Sequence, residues 1–98
     1  MLDIAKLSRV KLSLLTTLEA LLQERNAVRA AARLRISQSA VSKNLAQLRV
    51  LFDDPLFHRT AHGLTPTPLA RKLEGPLSEA LFQLDSLLNP DEFDAESF

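Results

Sequence analysis

Residues 36–52 read ISQSAVSKNLAQLRVLF and predict the helix that decides the fold. Ser37 is a suitable N-cap because its hydroxyl accepts a hydrogen bond from a free backbone N–H of the first turn, so the helix is expected to begin at Gln38. Apolar residues then recur at spacings of four, three and four, which places them on one face of a helix. The face expected to pack in a core consists of Val41, Leu45, Leu48 and Phe52.

The opposite face of this helix is polar and carries no acidic residue. Ser39, Ser42, Lys43 and Gln47 share it, since Lys43 lies about 200° around the helix from the first apolar residue at about 100° per residue. Hydroxyls, amides and cations bond base edges and phosphate oxygens, and short side chains let a helix enter a groove about 12 Å wide. Gln38 carries an amide suited to bidentate adenine recognition. The alternative is an ordinary solvated helix face.

Two further helices are predicted before this stretch. Apolar residues from Leu7 to about Glu24 fall on one helical face and predict a first amphipathic helix, after the weakly patterned residues 1–6. Asn26 is a good N-cap for a short second helix over 27–34, whose consecutive alanines allow another helix to approach closely. Only three residues then precede the helix at 38, which is typical of a helix-turn-helix.

The pattern changes after the helix over 38–52. The run 53–55, Asp-Asp-Pro, disfavours continued helix. Residues 56–60 predict a short strand, 61–63 a turn and 64–65 a returning strand, which together form a small β-wing. Arg59 and Arg29, in the wing and the second helix, are candidate DNA contacts. The alternatives are bonds from Arg59 to carbonyls of its own wing, and solvent for Arg29.

A long C-terminal helix is predicted over residues 66–89. In Thr65-Pro66-Thr67-Pro68 either threonine can cap it, and a proline in the first turn removes no needed N–H. Gly75-Pro76 is expected to interrupt the helix and Asn89-Pro90 to end it, which leaves 90–98 as an acidic hinge or frayed tail. The leucine stripe of this helix predicts a homodimer, and packing of the stripe on its own domain is the alternative. The stripe consists of Leu69, Leu73, Leu77, Leu81, Leu84 and Leu88.

The charge of the chain is unevenly distributed. Its 98 residues have a formal net charge of zero, but residues 1–73 hold all twelve Lys and Arg against five acids, and residues 74–98 hold seven acids. A basic lobe with a net charge of +7 is typical of a nucleic-acid-binding module. The chain has no cysteine, so we expect no disulfides, and it has no apolar run long enough to span a membrane. We therefore expect a cytoplasmic protein.

Catalysis, cofactors and metals have little support in the sequence. His58 and His62 are the only histidines, and no third ligand is spaced to complete a metal site with them. Glycine occurs only at 63 and 75, so no glycine-rich phosphate loop exists. We therefore expect neither an enzyme nor a cofactor.

Several runs together resemble the N-terminal region of LysR-type transcriptional regulators over roughly residues 7–89. These runs are Ala30-Ala31-Ala32-Arg33-Leu34, Ser37-Gln38-Ser39-Ala40-Val41-Ser42, Asp54-Pro55-Leu56-Phe57-His58-Arg59 and Leu64-Thr65-Pro66, with Leu48 between. The resemblance implies a mainly α fold: a winged helix-turn-helix with a small β-hairpin wing and a long C-terminal linker helix that pairs in a dimer. It also implies a tetramer as an alternative state of the full-length protein.

The resemblance assigns residues to roles. It implies that Gln38, Ser39, Ser42 and Lys43 face the major groove, and that Arg59 and His62 of the wing approach the backbone or minor groove. Ser39 stands where the family often has proline, which removes an apolar contact to a thymine methyl. His62 stands where a wing-tip arginine is frequent, so the attraction to the minor groove should be weaker and depend on pH.

We therefore expect three parts: a winged helix-turn-helix over 1–65, a dimerisation helix over 66–89 and a hinge over 90–98. The family's effector domain, which would hold the effector ligand, is missing, so an excised fragment is expected. Sequence-specific binding of double-stranded DNA, with the helix over 38–52 in the major groove, is the predicted function. A winged-helix module that binds proteins, or a complete small repressor without an effector domain, are the alternatives.

Overall fold

The helix over 38–52 forms as predicted in a computed structural model that describes residues 1–91. This helix, α4, runs from Gln38 to Phe52, and Ser37 Oγ accepts a hydrogen bond from Ala40 N at 3.1 Å. The preceding helix, α3, runs from Ala27 to Leu34 and is capped by the side chain of Asn26. Both caps act at the positions predicted from the sequence, because each signal is local to its helix.

The first helix was predicted wrongly, since the structure contains two helices over that span. Helix α1 runs from Ile4 to Arg9, with Asp3 as its cap, and α2 runs from Leu12 to Glu24. The break lies at Val10 and Lys11, which both have extended backbone. It turns α1 away from the core, and Leu7, predicted to face the core, is 57% exposed. Residues 1–6 are therefore partly helical.

Helix α2 is the centre of the packing, because α3, α4 and the last helix, α5 (Pro68–Leu88), all pack against it. Thr17, Leu18, Leu21 and Leu22 of α2 are each at most 1% exposed. Burying one leucine contributes about 1.5–3 kcal/mol. The other elements contribute buried residues that include Ala30, Ala31, Val41, Leu48, Leu56, Phe57, Ala70 and Leu77.

The predicted wing is an antiparallel hairpin with slightly different bounds. Strand β1 spans Phe57–Thr60 and strand β2 spans Gly63–Pro66, so the turn contains only residues 61–62. Leu56 is not in the strand: it has a φ of 66° and is fully buried. Its left-handed backbone costs about 1–3 kcal/mol. Two hydrogen bonds offset that cost, from Leu56 N to Asp54 Oδ2 at 2.8 Å and from Thr67 N to Leu56 O at 2.9 Å.

The last helix, α5, runs from Pro68 to Leu88 and is capped by Thr67. The expected interruption at Pro76 is wrong, because the helix continues through it. Pro76 is exposed, so the backbone bond it cannot make is lost on the outer side of the helix. Ser78 Oγ donates to Glu19 Oε2 at 2.8 Å and ties α5 to α2. The predicted tail falls largely on residues 92–98, outside the described residues.

Gly63 lets the wing approach the end of α2. Its φ is 106°, and a Cβ on it would lie 2.6 Å from the backbone oxygen of Arg25, the same oxygen that accepts from Leu64 N. Gly63→Ala is therefore expected to lower the free energy of unfolding by about 2 kcal/mol or more, measured by urea denaturation.

Gly75→Ala is the matched control for this change. Gly75 lies inside α5 and a Cβ there would meet nothing within 4 Å, so alanine should raise the free energy of unfolding by about 0.5–1 kcal/mol. Equal and small effects of the two substitutions would contradict the proposed contact between the wing and Arg25.

Candidate nucleic-acid interface

The outward face of α4 is held in place by what lies behind it. Val41 and Leu48 are buried to 1% and 0% exposure, and Leu45 and Phe52 pack partly buried against the same core. Asn44 donates a hydrogen bond of 2.9 Å to Thr17 Oγ1 of α2, which fixes the rotation of α4 against α2. The predicted core face is thus confirmed, and the opposite face points to solvent.

The predicted contact residues of α4 are all exposed. The side-chain hydrogen bonds of α4 are made instead by Ser39, Asn44 and Arg49. Within the described part of the chain, this leaves the polar groups of four side chains uncommitted: Gln38, Ser42, Lys43 and Gln47. A row of uncommitted donors and acceptors on a rigid helix is suited to a polar ligand, because binding disrupts no internal bond.

Ser39 takes part in the cap of α4. Its Oγ lies 3.1 Å from Ser37 Oγ, which itself accepts from the backbone of the first turn. One hydroxyl therefore steadies the other at the N-terminus of the helix. The first turn of α4 contains no acidic residue. Because the helix dipole places partial positive charge at the N-terminus, this end of α4 is electropositive.

Arg29 and Arg33 both form ion pairs with Glu24, and sequence reasoning did not predict these pairs. Arg29 Nε lies 3.7 Å from Glu24 Oε1, and Arg33 Nη1 lies 3.2 Å from Glu24 Oε2. The Arg29 side chain is still 67% exposed, so the pair is weak and the guanidinium stays accessible. Glu24 ends α2 and the arginines lie on α3, so spacing along one helix could not reveal the pairing.

Arg59 and His62 are exposed on the wing. Arg59 shares a surface depression with Ser42 and Arg49 of α4. Arg49 supports the wing: its Nε donates to Pro55 O at 2.8 Å and its Nη2 to Phe57 O at 3.4 Å. No sequence pattern indicates this role, because the acceptors are backbone carbonyls.

The leucine stripe of α5 is divided between core and surface. Leu77 is buried at 8% exposure, and Leu69, Leu73 and Leu81 pack against the same core. Leu84 is half-buried, and Leu88 is 68% exposed. Most of the predicted dimerisation stripe thus packs within its own domain, and its distal end is free.

The described residues 1–91 contain no group of three His, Asp, Glu or Cys side chains placed to hold a metal ion. No helix among them has both the length and the apolar character to cross a membrane.

Solved structures with this arrangement are winged helix-turn-helix domains of LysR regulators. A probable transcriptional regulator from Pseudomonas aeruginosa superposes with a TM-score of 0.80 at 39% identity, covering 86% of this chain and 28% of that chain. OxyR of Corynebacterium glutamicum, as the C206S mutant with H2O2 bound, gives 0.79 at 26% identity over 86% of this chain and 27% of that chain. The BenM_DBD/catB site 1 DNA complex shares the fold, with a TM-score of 0.78 at 21% identity, over 88% of this chain and 97% of that one. The class is thereby a mainly helical winged helix-turn-helix.

Sequence comparison gives the family. The family described as bacterial regulatory helix-turn-helix protein, lysR family, matches residues 12–71. The HTH-type transcriptional regulator YidZ of Citrobacter koseri is 45% identical over 83 residues, which are 85% of this chain and 26% of that protein. YidZ of Salmonella newport is 46% identical with the same coverage. The chain belongs to the LysR family, and it contains that family's helix-turn-helix DNA-binding domain.

The family and these relatives are transcriptional regulators, which is a non-enzymatic role. The chain spans about a quarter of the length of the curated relatives it matches. The predicted family, fold and class of function are thus confirmed, whereas the contacts of individual side chains stay predictions.

Proposed function

We propose that this chain binds double-stranded DNA sequence-specifically, with α4 in the major groove and the wing on the backbone or minor groove. One observation carries the proposal: the exposed face of α4 presents Gln38, Ser42, Lys43 and Gln47 with their polar groups uncommitted, on a helix anchored from behind. One solved structure with the same fold is a DNA complex, which supports DNA as the ligand. Phosphate contacts then set the register, and base contacts set the sequence preference.

Each α4 residue has a proposed role that follows from its chemistry. Gln38 suits adenine, whose edge offers both a donor and an acceptor in the major groove. Lys43 binds guanine or phosphate, and Ser39, Ser42 and Gln47 bond to nearby base edges or phosphates. Arg29, Arg59 and His62 contact the backbone around the groove. The location is cytoplasmic, because a bacterial regulator meets its DNA there.

The proposed functional unit is a homodimer joined through the distal end of α5. Leu87 and Leu88 follow Leu84 by three and four residues, so both are its neighbours on the helix surface. Leu87 and Leu88 are 71% and 68% exposed, and a pair of such faces would bury them. Two-fold symmetry would place two α4 helices on an inverted repeat, with half-sites one or more helical turns apart.

The chain is expected to bind a mixed-sequence duplex with a strong dependence on salt. If about six phosphates are neutralised, the logarithm of the association constant should fall against the logarithm of salt concentration with a slope near −5. If Lys43 binds phosphate, Lys43→Ala should make that slope shallower by about 0.9. If Lys43 reads guanine, the substitution should lower the binding free energy by about 1–3 kcal/mol, and the loss should be confined to one base pair. Fluorescence anisotropy across a salt series measures both. A slope near zero for the unmodified chain would refute the proposal.

The double variant Leu87→Glu/Leu88→Glu is expected to be monomeric, because two buried charges at a paired face oppose association. Light scattering should give a mass near 10.9 kDa for this variant and about twice that for the unmodified chain. Val28→Glu is the control, since Val28 is 59% exposed on α3, and its mass should stay dimeric. An unchanged dimer mass in the double variant would exclude pairing through this end of α5.

A further inference from the structure

Arg9 lies beside the exposed face of α4, although it precedes the part of the chain that matches the family. The match begins at residue 12, and Arg9 is the last residue of α1. Arg9 and Val10 line a surface depression together with Lys43 and Gln47 of α4. The break between α1 and α2, which the sequence did not predict, follows directly after Arg9.

The cation of Arg9 is available to a ligand. The residue is exposed, and its Nε donates a hydrogen bond of 3.3 Å to Ala5 O, which uses one of the five guanidinium N–H groups. The ion pairs among residues 1–91 join Arg29 and Arg33 to Glu24 and do not involve Arg9. An unpaired guanidinium has the geometry and charge that phosphate oxygens bind most strongly.

Arg59 occupies the corresponding position on the other flank of α4. It shares its depression with Ser42 and Arg49, whereas Arg9 shares a different one with Lys43 and Gln47. Ser42 and Lys43 are consecutive residues and therefore point about 100° apart around the helix axis. The exposed face of α4 thus runs between two arginines, one from α1 and one from the wing.

We propose that Arg9 binds a DNA phosphate on one wall of the major groove while Arg59 serves the opposite wall. The major groove is about 12 Å wide and is bounded by two phosphate backbones, and a helix with its side chains is about 10–12 Å across. A helix that fills the groove therefore brings a cation on each flank to a different backbone. This inference rests on the DNA-binding function proposed above and adds a contact residue from the N-terminal helix.

The test compares Arg9→Ala with Lys6→Ala in the full chain, using anisotropy on a mixed-sequence duplex across a salt series. Loss of one phosphate contact should make the salt slope shallower by about 0.9 and weaken binding about eightfold at about 0.1 M salt. Lys6 is the matched control, because it is an exposed cation on the same helix that lines a different, apolar depression with Leu7 and Leu84. Lys6→Ala should leave the slope unchanged.

Arg9→Lys keeps the cation and is expected to keep the slope. A slope that is unaffected by Arg9→Ala, or lowered equally by Lys6→Ala, would overturn the Arg9 contact and leave the DNA-binding proposal intact. Loss of slope in Arg9→Lys as well would assign Arg9 a structural role and overturn the contact. A slope near zero in the unmodified chain would overturn both proposals.

Phosphate ethylation interference on a duplex selected from a random pool locates the contact. Arg9→Ala should relieve interference at phosphates on one side of the major groove, and Arg59→Ala at phosphates on the other side. Relief at the same phosphates in both variants would overturn the assignment of the two arginines to opposite walls.

Discussion

The fixed rotation of α4 against α2 is the constraint on which the rest of the structure depends. Val41 and Leu48 hold one face of α4 in the core, and the bond from Asn44 to Thr17 prevents the helix from turning about its axis. Since neighbouring side chains on a helix point about 100° apart, a modest rotation would move Ser42 or Lys43 out of the exposed face. The anchoring therefore keeps the proposed DNA-contact residues together on one exposed face.

The two helices of the helix-turn-helix were predictable because their signals are local. Asn26 and Ser37 cap helices whose bounds follow within a few residues, and the apolar spacing of α4 identifies its buried face without further information. The wing and the long last helix were predicted from turn residues, helix caps and leucine spacing, and the structure contains both with slightly different bounds. The exposure of Gln38, Ser42 and Lys43 follows from the same periodicity.

Features that depend on distant contacts were not predictable. The break after α1 has neither proline nor glycine to mark it, and the bond from Leu64 N to the Arg25 carbonyl joins segments far apart in sequence. The bonds from Arg49 to the wing are closer in sequence, but their acceptors are backbone carbonyls that no residue pattern marks. The leucine stripe of α5 shows a further limit, because its spacing is the same whether a leucine meets its own core or a second chain. Leu77 packs in its own core, whereas Leu87 and Leu88 at the distal end of α5 are exposed and available to a second chain.

The most direct test of this account is an NMR titration of the isotopically labelled chain with a duplex selected from a random pool. If α4 reads DNA through its exposed face, the largest amide shifts should occur over residues 38–47 and at the wing tip, with small shifts at the distal end of α5. The account would be contradicted if the shifts were concentrated at Leu87 and Leu88 while residues 38–47 stayed unchanged.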